Sequence, residues 1–186
     1  MPSTREALVT AATELIDAGG AEAVTLREVG RRAGVSHNAP YKHFQHKEAL
    51  LAAVAAEELG VYSGLLTLAS GAAPALDEAL QHYVERALAY PERFRLVYRR
   101  WNTESEELAQ AAALATRVLD ALIAPAQQVG LLPAGPVERQ ADLLRAVTHG
   151  AIELTLTGHL GKRGEARTPD QLVSDFLDIL RANSGA

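Results

Sequence analysis

Between Thr25 and Phe44 the chain reads TLREVGRRAGVSHNAPYKHF, followed by Gln45-His46-Lys47-Glu48-Ala49-Leu50-Leu51. No other stretch narrows the possible folds as much. Thr25 stands three residues before Glu28, an S/T-x-x-E capping box that predicts a helix from Leu26. Leu26, Val29 and Ala33 fall on one face of it, and Arg27, Arg31 and Arg32 point elsewhere. Gly34 suits a left-handed position after the helix. Ser36 is placed to cap a second short helix, on which Tyr41 and Phe44, three apart, can share a face. A third helix opens at Lys47. Two short helices, a glycine turn and a following helix form the layout of a helix-turn-helix, which docks on DNA.

Charge agrees locally and not globally. From Thr25 to Lys47 there are five cations (Arg27, Arg31, Arg32, Lys42, Lys47) against Glu28 alone, a net +4, while the whole chain is −5 and the remainder therefore −9. His37, His43 and His46 can add charge. A basic patch attracts duplex DNA whatever the total, although a solvated helical face would carry the same residues.

The motif resembles the DNA-binding domain of TetR-family transcriptional regulators. The resemblance rests on Thr25-Leu26-Arg27-Glu28-Val29, Ala33-Gly34-Val35-Ser36, Tyr41-Lys42-His43-Phe44 and Lys47-Glu48-Ala49-Leu50-Leu51, and covers roughly residues 4–60. It implies that Ser36, His37, Asn38 and Ala39 face base edges. It implies that Tyr41, Lys42, His43 and Lys47 meet phosphates or sugars, and that Thr25 and Arg27 meet the backbone across the groove. Asn38 is a plausible adenine reader, because its amide can pair with N6 and N7. Pro40 departs from the family pattern, which has an aliphatic residue there. Counted from a Ser36 cap, its missing N–H removes the first backbone hydrogen bond. Either the helix starts later, capped by Asn38, or its first turn is distorted.

The rest of the chain reads as helices. Leu8, Ala11, Ala12, Leu15 and Ile16 follow helical spacing up to Gly19-Gly20. A longer helix runs from near Lys47 through Leu65 toward Gly71-Ala72-Ala73-Pro74, and so belongs to both halves. Further helices are expected over Ala75–Tyr90, from Pro91 through Trp101, over Glu104–Val129 with Pro125 set to kink or divide it, and over Val137–Leu160. Gly130–Pro136 is the clearest loop and Gly161–Arg167 a polar connection. A last helix opens at Thr168-Pro169-Asp170. The fold expected is all-α, with about nine helices. The three-helix DNA-binding domain takes residues 1–47, and a helical-bundle regulatory domain takes residues 48–186.

Two tasks are expected of the second domain. The resemblance implies a homodimer through the last two long helices, where Gly150, Ala151 and Thr155 would permit close approach; the same residues could pack within one subunit. An unknown small-molecule effector would be lined by Tyr83, Phe94, Tyr98, Trp101, Leu119, Ile123, His149, Ile152 and Glu153, a mostly apolar set with a few polar groups. Each of these taken singly reads as a core or interface residue before a ligand contact. Trp101 and His149-Gly150 resemble a C-terminal variety of these regulators marked by Trp and His-Gly positions.

Other function classes find little support. The chain has no cysteine, so it has no disulfide, thiol nucleophile or cysteine redox switch. No catalytic motif accompanies the His149/Glu153 pair, so no catalytic residue is assigned. His43 and His46 lack a third ligand, so no metal site and no cofactor is expected. No signal segment or apolar run of about 18–20 residues is evident, which points to a cytoplasmic protein without a membrane partner. The reading is a DNA-binding transcriptional regulator, in the main a repressor released from operator DNA by an effector. The alternatives are a similar dimer without an effector and, more remotely, a helical enzyme.

Overall fold

The structure is a computed structural model that describes residues 2–68, 75–160 and 167–182. Among these residues there are nine α-helices, a single 3₁₀ turn and no strand: α1 Thr4–Gly19, α2 Leu26–Arg32, α3 Ala39–His43, α4 Lys47–Leu68, α5 Ala75–Ala89, α6 Pro91–Tyr98, α7 Glu106–Gln128, α8 Val137–Leu156 and α9 Pro169–Ala182. The expected helix end at Gly71–Pro74 lies outside the described residues, as does the Gly161–Arg167 connection apart from Arg167.

The chain forms two compact units, one of residues 1–61 and 90–113, the other of residues 62–89 and 114–186. Helices α4 and α7 contribute to both. Packing thus draws its line elsewhere than at 47/48, where the sequence reading expects the functional division. Leu50, Leu51 and Val54 are buried in the same core as Leu8, Ile16 and Val29, because one face of α4 is the floor on which α1 and α2 close.

In the first unit α1 starts with a complete capping box. Ser3 Oγ accepts from Glu6 N–H at 3.2 Å, and Glu6 Oε2 accepts from Ser3 N–H at 2.6 Å. The helix ends at Gly20, whose φ of 69° suits glycine. Helix α6 is clamped on α1 by Arg93, which donates to both Asp17 oxygens at 2.6 and 2.5 Å. The same guanidinium lies 3.6 Å from the carboxylate of Glu58, which is only 3% exposed. Asp17, Arg93 and Glu58 therefore join α1, α6 and α4 in one charged cluster, against which the Tyr90 ring stacks at 4.3 Å.

In the second unit α5, α8 and α9 pack on the lower part of α7, around Leu80, Leu119, Ile123, Leu144 and Leu177. Arg181 of α9 pairs with Asp77 of α5. Helix α9 opens on a further capping box, between Thr168 and Gln171. The loop 130–136 is held by two glutamine amides, Gln127 donating to the Gly135 carbonyl at 3.0 Å and Gln140 to that of Pro133 at 2.7 Å.

Three expectations need correction. Helix α7 runs on through Pro125 and is not divided there; the residue is exposed, so the carbonyl it frees can meet water. Helix α8 stops at Leu156 and not at Leu160. Gly158 takes a left-handed φ of 68°, and His159 N–H returns to the Leu154 carbonyl at 2.7 Å, closing the helix early. Finally, stretches within Lys47–Thr67 and Glu106–Gln128 do reach the length and hydropathy of a membrane span. Few charges interrupt them, and alanines raise their hydropathy. The first is 61% buried, as a core helix is, and the second 17% buried.

Candidate nucleic-acid interface

Thr25 Oγ1 accepts from Glu28 N–H at 3.1 Å, so α2 is capped where the sequence predicts. The reciprocal half of the box is absent. Glu28 instead takes two hydrogen bonds from Arg31, at 2.9 and 2.6 Å. The hydrogen bond from Arg31 holds the Glu28 carboxyl below its ordinary pKa and raises that of Arg31. After α2, Gly34 adopts a φ of 67°, and Val35 N–H reaches back to the Gly30 carbonyl at 3.1 Å.

The second helix starts later than a Ser36 cap predicts. Ser36 heads a tight turn, its carbonyl accepting from Ala39 N–H at 2.9 Å. Helix α3 begins at Ala39 with Asn38 as N-cap residue, and the Asn38 side chain makes no capping hydrogen bond. Pro40 explains this. As second helical residue it needs no N–H partner, whereas a helix from Ser36 would need its N–H for the first backbone bond. Phe44 lies beyond the end of α3, with φ −135°. It is buried under Arg5, whose guanidinium is 5.4 Å from the ring centroid. Tyr41 is 53% exposed, so the two aromatics do not share a face, because the helix ends between them.

Ser36, His37, Asn38, Tyr41, Lys42 and His43 form one exposed polar strip, with Ala39 half-buried beside it. The His37 and Tyr41 rings meet edge-on at 6.2 Å. Thr25 and Arg27 are exposed at the start of α2. Three of the five cations are met within the protein: Arg31 by Glu28, Arg32 by Glu14 at 3.3 Å and Lys47 by Glu22 at 3.8 Å. All are surface pairs of small net value, which a phosphate can displace. His46 serves as a cap, its Nδ1 accepting from Ala49 N–H at 3.2 Å.

The nine residues read as an effector lining divide between the units. Phe94, Tyr98 and Trp101 belong to the first: Phe94 is buried against Tyr98 at 5.1 Å, and Trp101 packs on the N-terminal core under Arg99 at 5.0 Å. Tyr83, Leu119, Ile123, His149, Ile152 and Glu153 belong to the second. There Leu119, Ile123 and Ile152 are buried, and Tyr83 stacks on Tyr62 at 4.4 Å. Sequence reasoning passed over Thr148 and Asp120, each with a buried oxygen lacking a hydrogen-bond partner. A threonine at helical spacing from Leu144, Ala151 and Ile152 was the available signal. It also passed over Gly30, a glycine inside a helix.

On α8 and α9, Gly150, Leu154, Leu172, Phe176 and Ile179 line an open groove of about 650 Å³. Leu154 is 43% and Ile179 60% exposed. Among the described residues a Cβ on Gly150 would meet nothing within 4 Å, so none of them requires this glycine.

Comparison with known families agrees with the helix-turn-helix geometry. Residues 8–54 match the profile of bacterial regulatory proteins of the tetR family, and residues 76–180 match the tetracyclin repressor-like C-terminal domain. The chain belongs to the TetR family of transcriptional regulators. Among solved TetR-like folds, a Rhodococcus sp. RHA1 protein of unknown function is 27% identical, with 98% of this chain and 96% of that one covered and a TM-score of 0.83. FadR from Bacillus subtilis, solved with stearoyl-CoA, is 16% identical over 95% and 97% of the two chains, with a TM-score of 0.71. AibR, solved with isovaleryl coenzyme A and operator DNA, is 18% identical over 96% and 98%, with a TM-score of 0.67. No curated protein matches the sequence.

Proposed function

We propose that this TetR-family regulator is a homodimeric, cytoplasmic repressor without enzymatic activity, released from operator DNA by a small-molecule effector. Residues 1–47 read DNA and residues 48–186 regulate. The observation that carries the reading is the exposed strip of Ser36, His37, Asn38, Tyr41, Lys42 and His43, displayed by a tight turn and the five-residue helix that follows it. Ser36, His37, Asn38 and Ala39 face bases. Tyr41, Lys42, His43, Lys47, Thr25 and Arg27 hold the backbone.

The dimer forms through the α8–α9 groove. Its exposed Leu154 and Ile179 and its open Gly150 are what a close helix-helix contact buries. Two reading strips about 34 Å apart then meet successive major-groove turns. The effector binds in the second unit, among Tyr83, Leu119, Ile123, His149, Ile152 and Glu153. The unpartnered oxygens of Thr148 and Asp120 supply polar anchors there. Release is a population shift, and a 100-fold loss of DNA affinity needs about 2.7 kcal/mol of differential effector binding.

The test is fluorescence-anisotropy binding to the DNA upstream of the gene, with a salt series and a random-sequence control. Tight, salt-sensitive, selective binding by a dimer supports the reading. Selectivity absent both here and in a selection from random oligonucleotides overturns it. Because two proteins of this fold were solved with acyl-CoA thioesters, stearoyl- and isovaleryl-CoA are the first probes. A thermal shift coupled to loss of DNA binding supports an effector of that class.

A further inference from the structure

Gly30 stands inside α2, where alanine is intrinsically better by about 1 kcal/mol. The reason for it is across the turn. A Cβ at Gly30 would lie 2.8 Å from Pro40 Cγ and 3.4 Å from Pro40 Cδ. Those atoms belong to a closed ring, which can change pucker but cannot rotate out of the way. Pro40 is itself buried. The two residues are therefore complementary in shape: the glycine leaves the space that the ring occupies. Pro40 has a second effect. It withholds the N–H that would extend α3 backward, so Ser36, His37 and Asn38 sit in a turn, the Asn38 side chain free of capping duty and His37 against Tyr41.

We propose that the Gly30–Pro40 contact seats α3 on α2 and thereby sets which base pairs the Ser36–Asn38 turn recognises, making Pro40 a positioning residue for sequence readout. The inference rests on the DNA-binding reading above. It adds that specificity depends on a steric pair that touches no DNA.

The experiment uses the full chain as wild type, Gly30→Ala and Gly30→Ala/Pro40→Ala. Each is put through selection from random oligonucleotides, then measured for affinity on the wild-type consensus and on random DNA. In Gly30→Ala the added methyl displaces the ring, and α3 with it. The expected loss on the consensus is about fivefold or more, the size of one good base contact, with an altered base preference and unchanged affinity for random DNA. Removing the ring in the double variant relieves the clash, so it should melt at a higher temperature than Gly30→Ala, while its base preference, with Pro40 gone, should differ from that of wild type. Unchanged consensus affinity in Gly30→Ala overturns the proposal. So does an equal loss on consensus and random DNA, a double variant no more stable than the single, or a double variant with the wild-type base preference. If Gly30→Ala fails to fold by circular dichroism, the double variant decides. Regained folding with selective binding supports the pairing, and equal unfolding overturns it. A wild type that selects no sequence removes the DNA reading itself, and this inference with it.

Discussion

At the scale of single residues, the sequence specifies chemistry and leaves the partner open. Thr25 caps α2 as its spacing predicts, because a hydroxyl three residues before a free N–H has one geometry available. Glu28 was equally placed for the Thr25 N–H or for Arg31, and the charged donor won. That choice has a consequence. The depressed pKa of Glu28 keeps it ionised through the neutral range. The pair's contribution is present above the unfolded carboxyl pKa and is lost only as pH falls through the lowered one. Glu28→Gln should therefore free Arg31 at neutral pH and steepen the salt dependence of random-DNA binding by about one phosphate contact. An unchanged slope would mean that Arg31 faces away from DNA. Asn38 gives a separate expectation. Since its side chain caps nothing, Asn38→Ala should leave the melting temperature nearly unchanged while relaxing preference at one or two base pairs, worth about 1–3 kcal/mol. A preference profile identical to wild type would remove Asn38 from the reading role.

At the scale of elements, helix existence was readable and helix limits were less so. The period of Leu8, Ala11, Ala12, Leu15 and Ile16 predicts α1, and all five are buried. Ends depended on local competition. Pro40 delayed α3 and Gly158 closed α8, whereas Pro125 did not divide α7, whose neighbouring turns continue on the core through Leu119, Leu122 and Ile123. Invisible in the sequence was the cluster joining α1, α4 and α6, since Asp17, Glu58 and Arg93 are far apart in the chain. Arg93→Ala would leave Glu58 buried beside Asp17 without this cation. The expected loss is about 2–4 kcal/mol, read by urea denaturation. Arg145→Ala, which removes an exposed i,i+3 pair with Asp142, should cost under about 1 kcal/mol. Similar losses in both variants would show that the buried cluster adds no more than a surface pair.

At the scale of the whole molecule, the proposed function needs a second copy and a responsive state. Ile179→Glu should put a charge on the apolar α8–α9 groove, shift the protein to monomer in sedimentation, and weaken operator binding far more than random-DNA binding. A variant that remains dimeric would move the interface elsewhere. The sequence by itself determined the helical class and the helix-turn-helix, on whose residues the resemblance to a regulator family rests. Those follow from spacing within about twenty residues, where a cap, a period and a turn glycine act through the local backbone. The tertiary structure decided what Glu28 binds, why Gly30 is a glycine, where α3 begins and that Trp101 packs on the N-terminal core. Each of these depends on atoms brought within a few ångströms by folding, and composition or periodicity carries no record of that approach.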